Sequence, residues 1–253
     1  MSVTFNASWL ISVLLCSLRL SALLMLTPIL QAMGVHARIR VILILLISVS
    51  LVSGMHLAPN APVTDIPALI SAGLAEVTIG ALMAFGVFAA FAAFSFAGNA
   101  LDLQIGFSLA NIFDPITRSQ SPLLAAIFGM IAVALFFTMD AHHTLLRGVA
   151  YSFERVPLGG LVPLPSALII AREFGSVFAL GAALAAPALF CLFLVDLSLA
   201  VLSRNLPQLN ILFLSTPIKI AVGLTILAYA TSHFGAVAAR TFDGIFTFWE
   251  RVL

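Results

Sequence analysis

Six apolar segments, too long and too poor in charge to be hidden inside a water-soluble core, restrict what this chain can become. They cover residues 10–30, 41–57, 67–97, 122–139, 174–202 and 208–234. About 20 helical residues cross a hydrocarbon layer roughly 30 Å thick. The second and fourth segments lie near the lower limit for one crossing. The third and fifth exceed a perpendicular span, so they must tilt, kink, break in two or extend beyond the bilayer. The expected fold is therefore all-α: an integral membrane helical protein with about six long apolar segments, several kinked or broken into helical hairpins. Composition agrees. Of 253 residues, 62% are hydrophobic and 8% charged, against about 45–50% and 25% in soluble domains. Lipid or other membrane subunits must replace water around most of the surface.

Breakers and small residues refine this picture. Pro28, Pro187 and Pro217 fall inside apolar runs, where each removes a backbone hydrogen bond and bends the helix. Gly73, Gly80 and Gly86 recur along the third segment among alanines. Small residues let helix backbones approach where lipid supplies no hydrophobic drive; such a face can serve one bundle or a partner subunit. Longer connections are expected over residues 98–121 and 140–172, the second containing turn formers at Pro157, Gly159, Gly160, Pro163 and Pro165. The opening residues 1–30 carry Arg19 inside a run longer than a signal peptide's apolar core, and read as a retained first membrane helix. Basic residues divide about equally between alternate connections, so the positive-inside rule assigns no orientation.

Four charges lie where lipid is expected: Arg19, Glu76, Asp196 and Lys219. A charge at a helix centre facing lipid costs at least ~2.5–3.5 kcal/mol, so these groups face protein, a watery cavity or a partner. Structural ion pairs, a proton or ion relay, and contacts to other subunits all satisfy that demand. One acid or base per segment makes the relay the weakest of the three, and spacing does not say which charges pair.

No HExxH, GxSxG, P-loop or pair of carboxylates on one helix face is present, so no enzymatic chemistry and no cofactor is expected. Asp140, His142 and His143 are metal-capable, but adjacent histidines diverge on a helix, and the trio reads as a polar helix end with no metal. A net charge of +1 without a basic stripe excludes nucleic acid as a partner. Cys16 and Cys191 sit in apolar runs and read as small hydrophobes.

One stretch carries more than composition. Gly98-Asn-Ala-Leu-Asp-Leu-Gln-Ile-Gly106, followed by Phe107-Ser-Leu-Ala-Asn-Ile-Phe-Asp-Pro115, resembles a signature of the flagellar biosynthetic protein FliR family, which also contains the SctT subunit of virulence type III secretion systems. Leu26-Thr-Pro-Ile29 with Arg38 and Arg40, Glu76 with Gly80, Ser152-Phe-Glu-Arg-Val-Pro-Leu-Gly159 and Asn205-Leu-Pro-Gln-Leu-Asn-Ile211 match further pieces in the same order.

The resemblance implies a core subunit of the type III protein-export gate in the bacterial inner membrane, multi-pass, at the flagellar basal body. Its implied partners are FliP-like and FliQ-like membrane subunits in a hetero-oligomer, other export-apparatus components, membrane lipid, and unfolded protein substrates passing through the pore. Residues 1–173 resemble a FliP-like part and residues 174–253 a FliQ-like helical hairpin. The loop over residues 106–115 is implied to plug the pore, with Gly106, Phe107, Leu109, Ile112, Phe113 and Pro115 as its gating residues. The family often has aromatic side chains at the positions of Leu109 and Ile112, where this chain is aliphatic. Two alternatives stay open: the virulence branch of the family, and a secondary transporter whose helices break at Pro187 and Pro217 around a midplane site using Asp196 and Lys219.

Overall fold

The computed structural model describes residues 7–32, 34–59, 65–107, 122–160, 165–205 and 211–253. They form helices α1 (Ala7–Leu26), α2 (Pro28–Ala32), α3 (Ala37–Met55), α4 (Ile66–Ile105), α5 (Leu123–Thr138), α6 (Ala141–Arg155), α7 (Ala167–Asn205) and α8 (Ile211–Val252), with no strand among the described residues. By length and hydropathy, α1, α3, α4 and α7 can each cross a membrane. The number rises to six if α5 with α6, and the two stretches of α8 (Leu214–Tyr229 and Phe234–Val252), each count as one broken span.

The helix boundaries depart from the apolar segments in instructive ways. α4 continues to Ile105, beyond the loss of hydropathy at residue 98, because its polar side chains find partners. Asn99 donates back to the Ser95 carbonyl at 2.8 Å, while Asp102 and Gln104 bond to other elements. The stretch 140–172, expected as a connection, contains α6. That helix buries Ala141, Leu145, Val149, Ser152 and Phe153 on one face and exposes His143, Arg147, Glu154 and Arg155, a 3.6-residue pattern of ordinary amphipathic kind. Pro28 ends α1 by opening α2, the first-turn position where proline's missing N–H costs nothing. Pro187 and Pro217, by contrast, lie within α7 and within the first stretch of α8, neither at a helix end.

Packing divides the chain into two compact units. The first comprises Met1–Ala90, Phe136–Glu173 and Phe242–Leu253. Within it α1 lies against α3 and turns inward the face bearing Ser12, Leu15, Cys16, Arg19, Leu20, Leu23 and Leu24, while Leu10, Leu14 and Leu26 are exposed. The buried face is thus the more polar one, as suits a helix whose outer side meets lipid. The carboxyl end of α8 inserts Phe248 and Trp249 into this unit. Trp249 donates its indole N–H to the Met83 carbonyl at 3.0 Å. Glycines make room for both rings: a Cβ on Gly86 would lie 2.7 Å from Phe248, and one on Gly148 would strike the Trp249 ring.

The second unit comprises Phe91–Leu135 and Phe174–Thr241. It contains the end of α4, nearly all of α5, and most of α7 and α8. Gly98 of α4 crosses α5 so closely that a Cβ there would sit 2.7 Å from the backbone nitrogen of Ala125. Gly181 meets the Ala93 carbonyl and Phe96 in the same manner, and Gly223 meets Ile105. Phe96 and Phe178 make an edge contact, centroids 5.2 Å apart, and Phe128 leans on Phe234 at 5.4 Å.

Candidate functional site

The four charges singled out in the apolar segments, Arg19, Glu76, Asp196 and Lys219, fall into two pairs, one in each unit. In the first, Arg19 of α1 donates through Nε to Glu76 of α4 at 2.6 Å, both side chains essentially inaccessible. The guanidinium also donates to the carbonyl and hydroxyl of Ser152 at 3.0 and 3.1 Å and to the Val156 carbonyl at 2.9 Å. These carbonyls lie at the end of α6, which favours a cation; that of Ser152 also accepts the Val156 N–H at 3.0 Å. The Phe153 ring covers the guanidinium carbon at 4.2 Å. The second Glu76 oxygen accepts the Gly159 N–H at 2.8 Å, which anchors the turn after α6. One fork-shaped cation therefore joins α1, α4 and α6. The family-like pieces Glu76 to Gly80 and Ser152 to Gly159 are two halves of this one arrangement.

Gly73 and Gly80 serve the same contact. A Cβ on Gly80 would collide with the Arg19 carbonyl, and one on Gly73 would lie 3.2 Å from Leu18. The small-residue stripe of the third segment is thus used for packing within the chain.

In the second unit Lys219 of α8 contacts Asp196 of α7 at 2.5 Å. Gln104 of α4 donates its side-chain amide to the other Asp196 oxygen at 2.9 Å, and its backbone carbonyl accepts from Lys219 at 3.5 Å. Three helices meet in this ring. It is more open than the first, with 19% of the Lys219 side chain and 36% of Asp196 accessible. Asp196→Asn preserves the shape and the acceptor for Gln104 while deleting the charge. If shape and hydrogen bonding hold the ring, this variant should accumulate in the membrane fraction at the parental level, read by immunoblot. A chain degraded on synthesis would show instead that the charge itself joins the three helices.

Just before this ring, Asp102 is buried and accepts the N–H groups of Leu124 and Ala125 at 2.9 and 3.2 Å. It caps α5 from a different helix. Gly98 and Asp102 stand one turn apart on α4, so the glycine admits the end of α5 and the aspartate receives it. Sequence reasoning quoted both residues but assigned them no task; their i, i+4 spacing was the available signal.

α4 ends at Ile105 and is followed by Gly106, whose φ of 93° suits a residue without Cβ, and whose N–H closes on the Asp102 carbonyl at 3.1 Å. Phe107 follows, half-buried. The other residues expected in the plug, Leu109, Ile112, Phe113 and Pro115, lie outside the described residues. Gln104 places the Asp196–Lys219 ring two residues before the glycine at which this loop departs.

The pattern of the family described as "Bacterial export proteins, family 1" matches residues 10–245. The chain is 31% identical over 234 residues to "Flagellar biosynthetic protein FliR" of Bacillus subtilis (strain 168), covering 91% of this chain and 90% of that one. It is 30% identical over 234 residues to the protein of the same name from Escherichia coli (strain K12), covering 90% and 87%. A shorter match, 30% over 155 residues and 60% of this chain, is to "Yop proteins translocation protein T" of Yersinia pestis, of which it covers 59%. The matched stretch takes in both ion pairs and the Gly98–Asp102 docking point, and this multi-pass membrane chain belongs to the bacterial export proteins, family 1.

Proposed function

We propose that this chain is a non-enzymatic core subunit of the type III protein-export gate of the flagellar system, in the bacterial inner membrane at the basal body. The observation that carries the reading is ordered similarity over 91% of the chain to a flagellar biosynthetic protein FliR. The flagellar branch is favoured over the virulence branch because the match to the Yersinia translocation protein extends over 60% of the chain only. In this reading the chain joins FliP-like and FliQ-like subunits, residues 1–173 acting as the FliP-like part and residues 174–253 as the FliQ-like hairpin. Unfolded substrates pass through the assembly, and the loop over residues 106–115 forms part of its resting seal. Bulky apolar side chains there exclude water and ions, as a dewetted constriction does. Gly106 lets the backbone leave the helix axis, and the Gln104–Asp196–Lys219 ring holds the stem from which the loop departs.

Two experiments test the reading. Deleting the gene should abolish flagellar export and motility, and co-expression with FliP-like and FliQ-like chains should yield a co-purifying complex. Normal export in the deletion strain would overturn the proposal. Truncating Leu109, Ile112 and Phe113 together to Ala should leave the complex intact while raising its ion conductance and slowing growth on overproduction. Conductance equal to the parent's, in a verified complex, would remove the seal and leave a structural loop.

A further inference from the structure

At the corner between α5 and α6, the chain gathers three metal-capable side chains that the ion pairs do not use. Asp140, His142 and His143 each place one ligand atom within 4.8 Å of the others. On a continuous helix, side chains two and three residues apart would not all converge. Asp140 escapes that limit because it stands outside α6 with φ of 56°, in the left-handed region, and its carboxylate makes no capping bond to the helix. The turn is fixed from both sides: Asp140 donates its N–H to the Phe137 carbonyl at 3.2 Å, and His143 donates to the Asp140 carbonyl at 3.0 Å. The two imidazole rings are tilted 57° to one another, centroids 4.2 Å apart. The Phe137 ring lies 5.2 Å from that of His142.

A second feature points to a ligand. Nδ1 of His142 is buried and has no hydrogen-bond partner among the described residues. A buried ring nitrogen left unpaired carries a desolvation penalty, which coordination to a cation would remove. Asp140 and His143 are exposed, so an ion could enter from solvent and complete its shell with water.

We infer that Asp140, His142 and His143 form a binding site for one divalent first-row transition-metal ion, zinc in particular. Two imidazoles and a carboxylate suit zinc, whereas magnesium and calcium prefer oxygen donors throughout. Three atoms no more than 4.8 Å apart share a point at most about 2.8 Å from each. Zinc–ligand distances are about 2.0–2.2 Å, so closure needs side-chain shifts below an ångström. The ion would brace the corner at which the chain turns from α5 into α6.

The test uses the full chain, in its purified membrane complex or in detergent, without a polyhistidine tag. Zinc titration by calorimetry should give one site per chain. Cobalt(II) should develop visible d–d bands that zinc abolishes. His143→Ala and Asp140→Asn alter exposed side chains and should leave the complex intact, yet each should weaken zinc binding by more than about tenfold. Zinc should raise the thermal midpoint of the parent and not that of His143→Ala. No saturable binding of either ion, or undiminished affinity in both variants, would overturn the proposal.

Discussion

Arg19→Met, with Glu76 unchanged, is expected to shorten the lifetime of the folded protein in the membrane fraction sharply. The substitution strips a counter-ion from a carboxylate with no access to solvent and releases the Ser152 and Val156 carbonyls at the end of α6. Breaking one side of a buried ion pair costs about 3–5 kcal/mol, because the surviving charge stays buried and uncompensated. With total stability of about 5–15 kcal/mol, the folded-to-unfolded ratio falls by roughly a hundred- to several-thousand-fold, which removes the whole margin of a chain at the low end of that range. Glu76→Gln, close in shape, should be nearly as damaging, since it leaves the guanidinium charged. Arg19→Leu with Glu76→Leu should recover part of the loss, as replacing both partners removes the stranded charge. Recovery should be incomplete, because Arg19 also serves α6 and Glu76 the Gly159 N–H. Pulse-chase lifetime and the thermal midpoint of the detergent-extracted complex, combined in a double-mutant cycle, read these effects. A single Arg19→Met variant as long-lived as the parent would show that the pair contributes nothing to folding.

Gly98→Val should be the second most damaging exchange. Its Cβ would meet Ala125 backbone rather than a side-chain tip that could rotate aside. α5 must therefore move, and the Leu124 and Ala125 N–H groups lose Asp102 as they do so. Overpacking costs about 1–3 kcal/mol, and stranding buried polar groups adds about 1–3 kcal/mol each. Gly129→Ala provides the contrast. Gly129 lies within α5, and a Cβ there meets nothing within 4 Å, so the change should be neutral or stabilise by roughly 0.5–1 kcal/mol. Thermal midpoints of the two variants should move in opposite directions or differ by the whole penalty. Equal midpoints would mean that the α4–α5 approach is looser than the geometry indicates.

How much of this was legible from the chain depended on which physical signal a residue carries. Hydropathy revealed the long helices and their approximate number, because a helix that faces lipid must be apolar along its length. It misplaced the end of α4, since Asn99, Asp102 and Gln104 resemble a loop to any reading that equates polarity with solvent. It also passed over α6, whose buried positions alternate with charge at helical spacing inside a stretch that looked like a connection. Arg19, Glu76, Asp196 and Lys219 stood out as costly. Their pairing was invisible because the partners lie 57 residues apart in the first case and on separate helices in the second. Gly73, Gly80 and Gly86 announced close packing through their density, whereas Gly98 and Gly148, equally confined, were single residues and gave no such sign. The divergence expected of adjacent histidines fails here: within α6 the rings of His142 and His143 approach to 4.2 Å, and the left-handed Asp140 just outside the helix adds its carboxylate to them.

The distance along the chain between Arg19 and its partners has a consequence for biosynthesis. Ribosomes add about 5–20 residues per second. Glu76, 57 residues downstream, therefore emerges roughly 3–11 s after Arg19, and Ser152, 133 residues downstream, roughly 7–27 s after it. For that interval α1 holds a cation near its midpoint that costs at least ~2.5 kcal/mol in bare lipid. The nascent helix must wait beside the insertion machinery, or lie at the headgroup level, until α4 arrives. Slowing elongation between codons 19 and 76 should therefore raise the share of chains degraded before completion, whereas slowing it after residue 156 should not.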